Sequence, residues 1–159
     1  LSFSAEVREE AKQKEIPIQR KELQDLGNEM RKKYGREYWA RRIIAKIEDW
    51  KNYVVEGFRN IAEVVLFKRR ADFMLIAIDA LLEKRFQWIM LRGKDSDPSS
   101  LEEIKKIEAR DRGEGEYEYG QQSEKCIAMA DIKMMNDKSK EQFEKKVEQL
   151  LKKLAIMEN

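Results

Sequence analysis

Apolar residues recur at helical spacing along most of the chain and close up into short continuous runs at a few places. From Ser4 to about Lys14 the small or apolar positions Ala5, Val7 and Ala11 sit among charges, with Ser4 placed as an N-cap and Glu6 in the first turn. That pattern predicts a short surface helix. Beyond Pro17, Leu23, Leu26, Met30 and Tyr34 lie three or four residues apart until Gly35, a second helix with a glycine stop. Trp39, Ile43, Ile44 and Ile47 form one stripe over 36–49, with Arg36, Arg41 and Arg42 around it, and predict a third.

The period changes after Asn52. Tyr53-Val54-Val55 is a short β-branched run ended by Glu56-Gly57, and Ile61, Val64, Val65 and Phe67 return to helical spacing over 60–69. Phe73 to Ile78 is nearly continuously apolar, as in a strand covered on both faces within a parallel sheet. Leu81, Leu82, Phe86, Ile89 and Met90 then resume the helical stripe. Residues 93–100 hold turn formers and no apolar side chain, which predicts an exposed loop. Ser100 can cap a helix through Leu101, Ile104 and Ile107, and the Gly- and Glu-rich stretch 113–120 predicts a mobile excursion over the domain. A helix ending over Ile127 to Ala130, a strand over Ile132 to Met135 and an amphipathic helix from Ser139 to Met157 complete the chain. Alternating strands and helices predict one α/β domain over 1–159 with right-handed crossovers. Three short strands leave its sheet without a centre.

Composition removes much chemistry. The 159 residues include no histidine and one cysteine, so Ser-His-Asp and Cys-His nucleophile systems, His-based metal sites and disulfide frameworks are excluded. Charged residues make up 40% of the chain, yet 33 Lys+Arg face 31 Asp+Glu, interspersed, so no broad basic field advertises nucleic acid or anionic lipid. No apolar run approaches the roughly 18 to 20 residues that span a bilayer, and a cytoplasmic setting without membrane attachment is expected.

Four clusters could carry chemistry. Glu56-Gly57-Phe58-Arg59 follows a strand, where ligands of open parallel sheets bind, and Arg59 offers a planar fork to phosphate oxygens. Equally, Gly57 could simply turn the chain while Arg59 caps a carbonyl. Arg85 and Arg92, seven apart on one predicted helix, precede Gly93-Lys94-Asp95-Ser96-Asp97-Pro98, with Arg110 and Arg112 further on. Several arginines beside a loop can clamp a polyphosphate; an ordinary charged helix with pairs such as Glu108 to Arg112 is the alternative. Arg8 stands one turn after Ser4. Asn136 and Asp137 follow a strand and could flank a purine or merely make a turn. Cys126, among Ile127, Ala128 and Met129, reads as a core residue.

In this order the clusters resemble the nucleoside-monophosphate-kinase-like branch of the P-loop kinases, most closely the dephospho-coenzyme A kinase-like and adenylate kinase-like ATPases of archaea and bacteria. The resemblance runs through Leu1 to Glu10, Gly27 to Gly35, Val54 to Arg59 with Glu63, Ala77 to Ala80, Arg85, Arg92-Gly93, Asp95 to Pro98, Ala130-Asp131 and Asn136-Asp137. It implies a parallel sheet flanked by helices, a helical acceptor-binding insertion over about 4–48 and a lid over about 93–122. It also implies that Arg8, Glu56, Gly57 and Arg59 bind the acceptor, that Arg85 and Arg92 contact the donor phosphates, and that Asn136 and Asp137 lie by the donor base. ATP and Mg2+ are the implied cofactors. Glu56 stands where the family usually has aspartate, and Ala5 where it has an acidic residue.

The phosphate loop Gly-x-x-x-x-Gly-Lys-[Ser/Thr] does not occur in these residues. The resemblance places it just before the position matched by Leu1, so the expectation is a chain that starts downstream of its first strand and loop. The expected function of the full-length protein is ATP-dependent phosphoryl transfer to a small phosphorylated nucleotide or nucleotide-like acceptor. The alternative is an inactive member that binds nucleotide or a protein partner. Nucleic-acid binding through Arg31 to Arg42 with Tyr38 and Trp39 is a third, weaker reading.

Overall fold

The N-terminal residues are fixed by a partner fifty residues away. The amide of Phe3 donates to the carbonyl of Glu56 at 3.0 Å, and the amide of Glu56 to that of Leu1 at 3.0 Å. The computed structural model describes residues 1–93, 98 and 100–157, the last three as backbone. Helix α1, Phe3–Gln13, therefore starts two residues earlier than a Ser4 cap predicts, with Ser2 at the N-cap. Phe3 is buried at 2% exposure, and its anchoring sets where the helix can begin. This helix is no mere surface element. Glu6, Glu10 and Ala11 are buried against α3, Tyr38–Ile44, where Arg42 holds both carboxylates.

Helix α2, Arg20–Tyr34, follows the predicted stripe, with Leu26 and Met30 buried and Gly35 ending it at φ +98°. The predicted helix over 36–49 shortens to α3, whose Trp39 and Ile43 are fully buried. Helix α4, Ile61–Phe67, opens on a reciprocal cap: Asn60 Oδ1 accepts from the Ala62 amide at 3.0 Å while Glu63 Oε2 accepts from the Asn60 amide at 3.0 Å. Phe3, Phe58, Phe67 and Phe73 meet ring to ring beneath it, with centroids 4.7 to 6.3 Å apart.

Two strands, β1 (Ile76–Asp79) and β2 (Ile132–Met135), pair in parallel from Ile76 opposite Ile132 to Asp79 opposite Met135. The β2 range is the predicted one, and the parallel pairing supports an α/β arrangement. The predicted strand at 73–78 shifts, because pairing starts only where β2 supplies a partner. Ile78 is 55% exposed, so the sheet is not covered on both faces as its sequence suggests. Tyr53-Val54-Val55 forms no named strand. Its partner is the short stretch 1–3, which supports one parallel bridge, Ser2 to Glu56, and no longer ladder.

Helix α5, Leu82–Arg92, ends at Gly93 in the left-handed region, and α6, Leu101–Arg112, is capped by Ser100, whose Oγ accepts from the Glu103 amide at 3.1 Å. Within the loop predicted over 93–100, residues 94–97 and 99 lie outside the described residues, and Pro98 is buried rather than exposed. The stretch 113–122 is tied down rather than an excursion: Asn60 Nδ2 donates to the carbonyls of Glu118 at 2.8 Å and Gly120 at 2.9 Å, and the Gln122 amide donates to that of Arg59 at 2.6 Å. Helices α7, Ser123–Ala128, and α8, Lys140–Met157, complete the order. Among the described residues no helix is long and apolar enough to cross a membrane.

Candidate functional site

A cleft of about 550 Å³ opens where the starts of α1 and α2 face the turn 56–59 and the ends of α5 and α6. Gly57 makes this turn possible. Its φ of +94° is a left-handed conformation, and a Cβ there would stand 3.5 Å from the Phe3 Cβ. Arg8, Glu56, Gly57, Arg59 and Arg92 all line the cleft. Five of the predicted site residues, from three separate stretches of chain, thus share one space.

Arg8 reaches it from α1, its Nη1 donating to Ser4 Oγ one turn back at 3.0 Å. Arg59 is steadied twice: its amide donates to Glu63 Oε2 at 2.9 Å, and its Nη1 to the Phe58 carbonyl at 3.1 Å. Val7, Ile18 and Leu23 add an apolar wall. Arg31 and Glu63 form a buried ion pair at 2.8 Å, 3% and fully buried respectively, and Arg31 lies in the cleft floor beside Gly27, Trp39 and Gln121. Trp39 Nε1 donates to the Gly27 carbonyl at 3.1 Å, which holds α3 against α2 below the floor.

Across the mouth, α2 meets α6 through polar side chains. Arg20 pairs with Asp111, and Gln24 Nε2 donates to Asp111 Oδ1 at 2.7 Å. Arg110 pairs with Asp25 at 2.6 Å and Glu116 at 2.6 Å. Burial draws the Arg110 pKa down, but the hydrogen bonds to Glu116 and Asp25 outweigh it and raise it above the ordinary arginine value.

Arg85 is elsewhere. Its guanidinium forks onto Glu108 at 2.8 and 2.7 Å and reaches Asp79 at 2.9 Å, so it ties the end of β1 to α6 and does not line the cleft. The hydrogen bond to Glu108 raises its pKa against the opposing effect of burial. Glu108 thus pairs with Arg85, not with Arg112 as its helical spacing suggests. Asn136 lines a separate hollow of about 340 Å³ with Trp88, Ser139 and Phe143. The Asp137 carboxylate accepts from Lys146 at 3.3 Å, and its pKa is lowered by its own backbone amide first and Lys146 second.

Several residues of the basic cluster from Arg31 to Arg42 are engaged within the protein. Arg31 and Trp39 are buried, Arg42 serves Glu6 and Glu10, and Arg41 Nη2 donates to the Tyr34 carbonyl. Among the described residues no three His, Cys, Asp or Glu side chains gather as metal ligands. Sequence reasoning missed Arg20, Gln24, Arg31, Asp111 and Gln121. The signals for Arg31 were present: an Asn-x-x-Glu cap at 60–63 with a spare carboxylate oxygen, and a glycine at 27 inside a helix.

No family model matches the chain. It is 35% identical over 152 residues to a UPF0200 protein of Thermoplasma volcanium, covering 95% of this chain and 81% of that one. A UPF0200 protein of Hyperthermus butylicus is 31% identical over 151 residues, covering 94% and 77%. A UPF0200/UPF0201 protein of Archaeoglobus fulgidus is 38% identical over 155 residues, and the chain spans 46% of its length.

Proposed function

The chain belongs to the UPF0200 family, and from its cleft we propose that it binds a small phosphorylated nucleotide or nucleotide-like molecule as acceptor in an ATP-dependent phosphoryl transfer by the full-length protein. The fold we propose is that of a P-loop nucleotide kinase. One observation carries this reading: Arg8, Arg59 and Arg92, from three separate elements, line one cleft that also has an apolar wall. Guanidinium groups recognise phosphate oxygens by charge and paired donors together. Val7, Ile18 and Leu23 suit the non-phosphate end of the same molecule.

In this reading Arg8 and Arg59 hold the acceptor phosphate, and Arg92 offsets charge developing on the transferred group. Arg85, engaged by Glu108 and Asp79, acts as a structural tie. The hollow at Asn136 is assigned to the donor base. The described residues do not by themselves fit magnesium ATP. The phosphate loop is not in the sequence, Asp111 is occupied by Arg20 and Gln24, and Glu56 alone adds a carboxylate to the cleft.

The test is ADP release by the full-length protein with a panel of nucleoside monophosphates and dephospho-coenzyme A. At least one acceptor should stimulate release tenfold or more. No stimulation by any of them overturns transfer. Calorimetric binding of an acceptor without turnover would favour a second reading, a nucleotide-binding member without activity.

A further inference from the structure

The floor of the cleft holds an arginine whose donors its surroundings take up only in part. Arg31 is 3% exposed and lines the cleft. Its Nε donates to Glu63 Oε1 at 2.8 Å and its Nη1 to Asn28 Oδ1 at 3.3 Å. Its Nη2 makes no hydrogen bond among the described residues. Nη2 is not one of the fully buried atoms left without a partner, so this N–H keeps an opening, and Arg31 lines the cleft; a donor that faces a cleft in this way can serve an anion there.

A second observation comes from Gly27, one turn before Arg31 on α2. Glycine inside a helix costs about 1 kcal/mol relative to alanine, and this helix is regular through it. A Cβ at 27 would stand 3.7 Å from Arg31 Nη1 and 3.9 Å from Gln121 Nε2, in ordinary contact with the polar floor. Glycine here therefore relieves no clash. A methyl group there would instead rest on Arg31 Nη1 and the Gln121 amide, both of which donate to Asn28 Oδ1, and would take up part of the cleft that Gly27 lines.

Resting on the reading of the cleft as an acceptor site, we propose that Arg31 is a third anion-binding arginine of that site, presented through Nη2 and held in place by Glu63, with Gly27 keeping its approach open. Glu63 is the positioning residue. One oxygen fixes the Arg31 guanidinium while the other accepts from the amides of Arg59 and Asn60, so a single buried carboxylate sets the floor arginine and the turn bearing Arg59 together. Because Glu63 already balances its charge, Arg31 contributes a directed donor more than net attraction. Such a donor favours a phosphate ester seated deep in the cleft over a halide or a carboxylate at the mouth.

The experiment reads inorganic phosphate binding by thermal shift at fixed ionic strength, with chloride as the competing anion, on the protein and its variants. Gly27→Ala should fold as well as the parent or better, yet bind phosphate at least tenfold more weakly. Arg31→Gln strands Glu63, so the double variant Arg31→Gln with Glu63→Gln supplies the matched neutral pair, and it should lose tenfold or more while unfolding cooperatively. Arg31→Lys should not restore binding, since Lys lacks the fork that engages Glu63 and the ligand at once. Phosphate affinity unchanged in both Gly27→Ala and the double variant would overturn the Arg31 site and leave the acceptor reading standing. Phosphate binding lost as expected, with no nucleotide bound in the panel, would retain the Arg31 site and overturn the acceptor. No response of the parent to phosphate overturns both.

Discussion

Single side chains already show how burial dictates chemistry in this chain. Cys126 is buried beside Glu63, and its thiol is pushed up to about 12, by desolvation first and the Glu63 charge second, against Arg59 and Arg31. At pH 8 roughly one thiol in ten thousand is then ionised, against about a quarter in an unfolded chain. A thiol-disulfide reagent such as Ellman's should therefore react with native protein on the order of a thousandfold more slowly than with protein in denaturant, and equal rates would contradict the burial. Asp131 shows the opposite sign. Its carboxylate accepts from Lys68 and from the Leu75 amide at 2.8 Å, which lowers its pKa, Lys68 contributing most. A lowered folded-state value stabilises the protein above the unfolded-state value of about 3.9. That contribution is lost as pH falls through the folded-state value. Thermal unfolding of Asp131→Asn should accordingly lie below the parent at pH 7, with the gap closing as pH falls below about 4.

Elements were legible where their signal is local and blurred where a distant partner decides. The α2 stripe, the Ser100 cap of α6 and the β2 run need only neighbouring residues, and all three stand as read. Strand pairing is different. Tyr53-Val54-Val55 has the composition of a strand, but a ladder needs a partner, and among the described residues this segment meets only one bridge, Ser2 to Glu56. The Phe3 anchor likewise moved the start of α1, because its amide answers to Glu56 rather than to helix propensity. Two helix caps make the contrast measurable. Ser100 serves one exposed amide, whereas Asn60 is fully buried and also donates to the carbonyls of Glu118 and Gly120. Ser100→Ala should cost about 0.5–1 kcal/mol, an ordinary cap. Asn60→Ala should cost about 2–4 kcal/mol, since it also strands buried acceptors. Denaturant unfolding of the two variants measures the difference, and equal losses would mean that the 113–122 stretch is not held by Asn60.

At the scale of the molecule, the sequence marked arginines but could not say which of them converge. Arg8, Arg59 and Arg92 lie 51 and 33 positions apart, yet α1, the Gly57 turn and α5 bring them to one cleft. Arg20 and Asp111 pair across 91 positions, a contact no local pattern encodes. Arg85 shares a helix with Arg92, seven residues on, and spacing alone put the two on one face. Glu108 and Asp79 decide otherwise: their carboxylates draw Arg85 into a tie between α6 and the end of β1, while the last turn of α5 carries Arg92 to the cleft. Two substitutions separate these roles. Arg59→Ala removes a fork from the cleft and should weaken acceptor binding about 10- to 100-fold, the equivalent of losing a charged hydrogen bond, with little change in unfolding. Arg85→Ala strips Glu108 of its partner and should lower stability by about 1–3 kcal/mol while acceptor affinity stays within about threefold, since no Arg85 atom borders the cleft. Calorimetric titration beside denaturant unfolding of both variants reads the two quantities separately. The opposite pattern, affinity lost with Arg85 and kept with Arg59, would place the ligand at the end of β1 and away from the cleft.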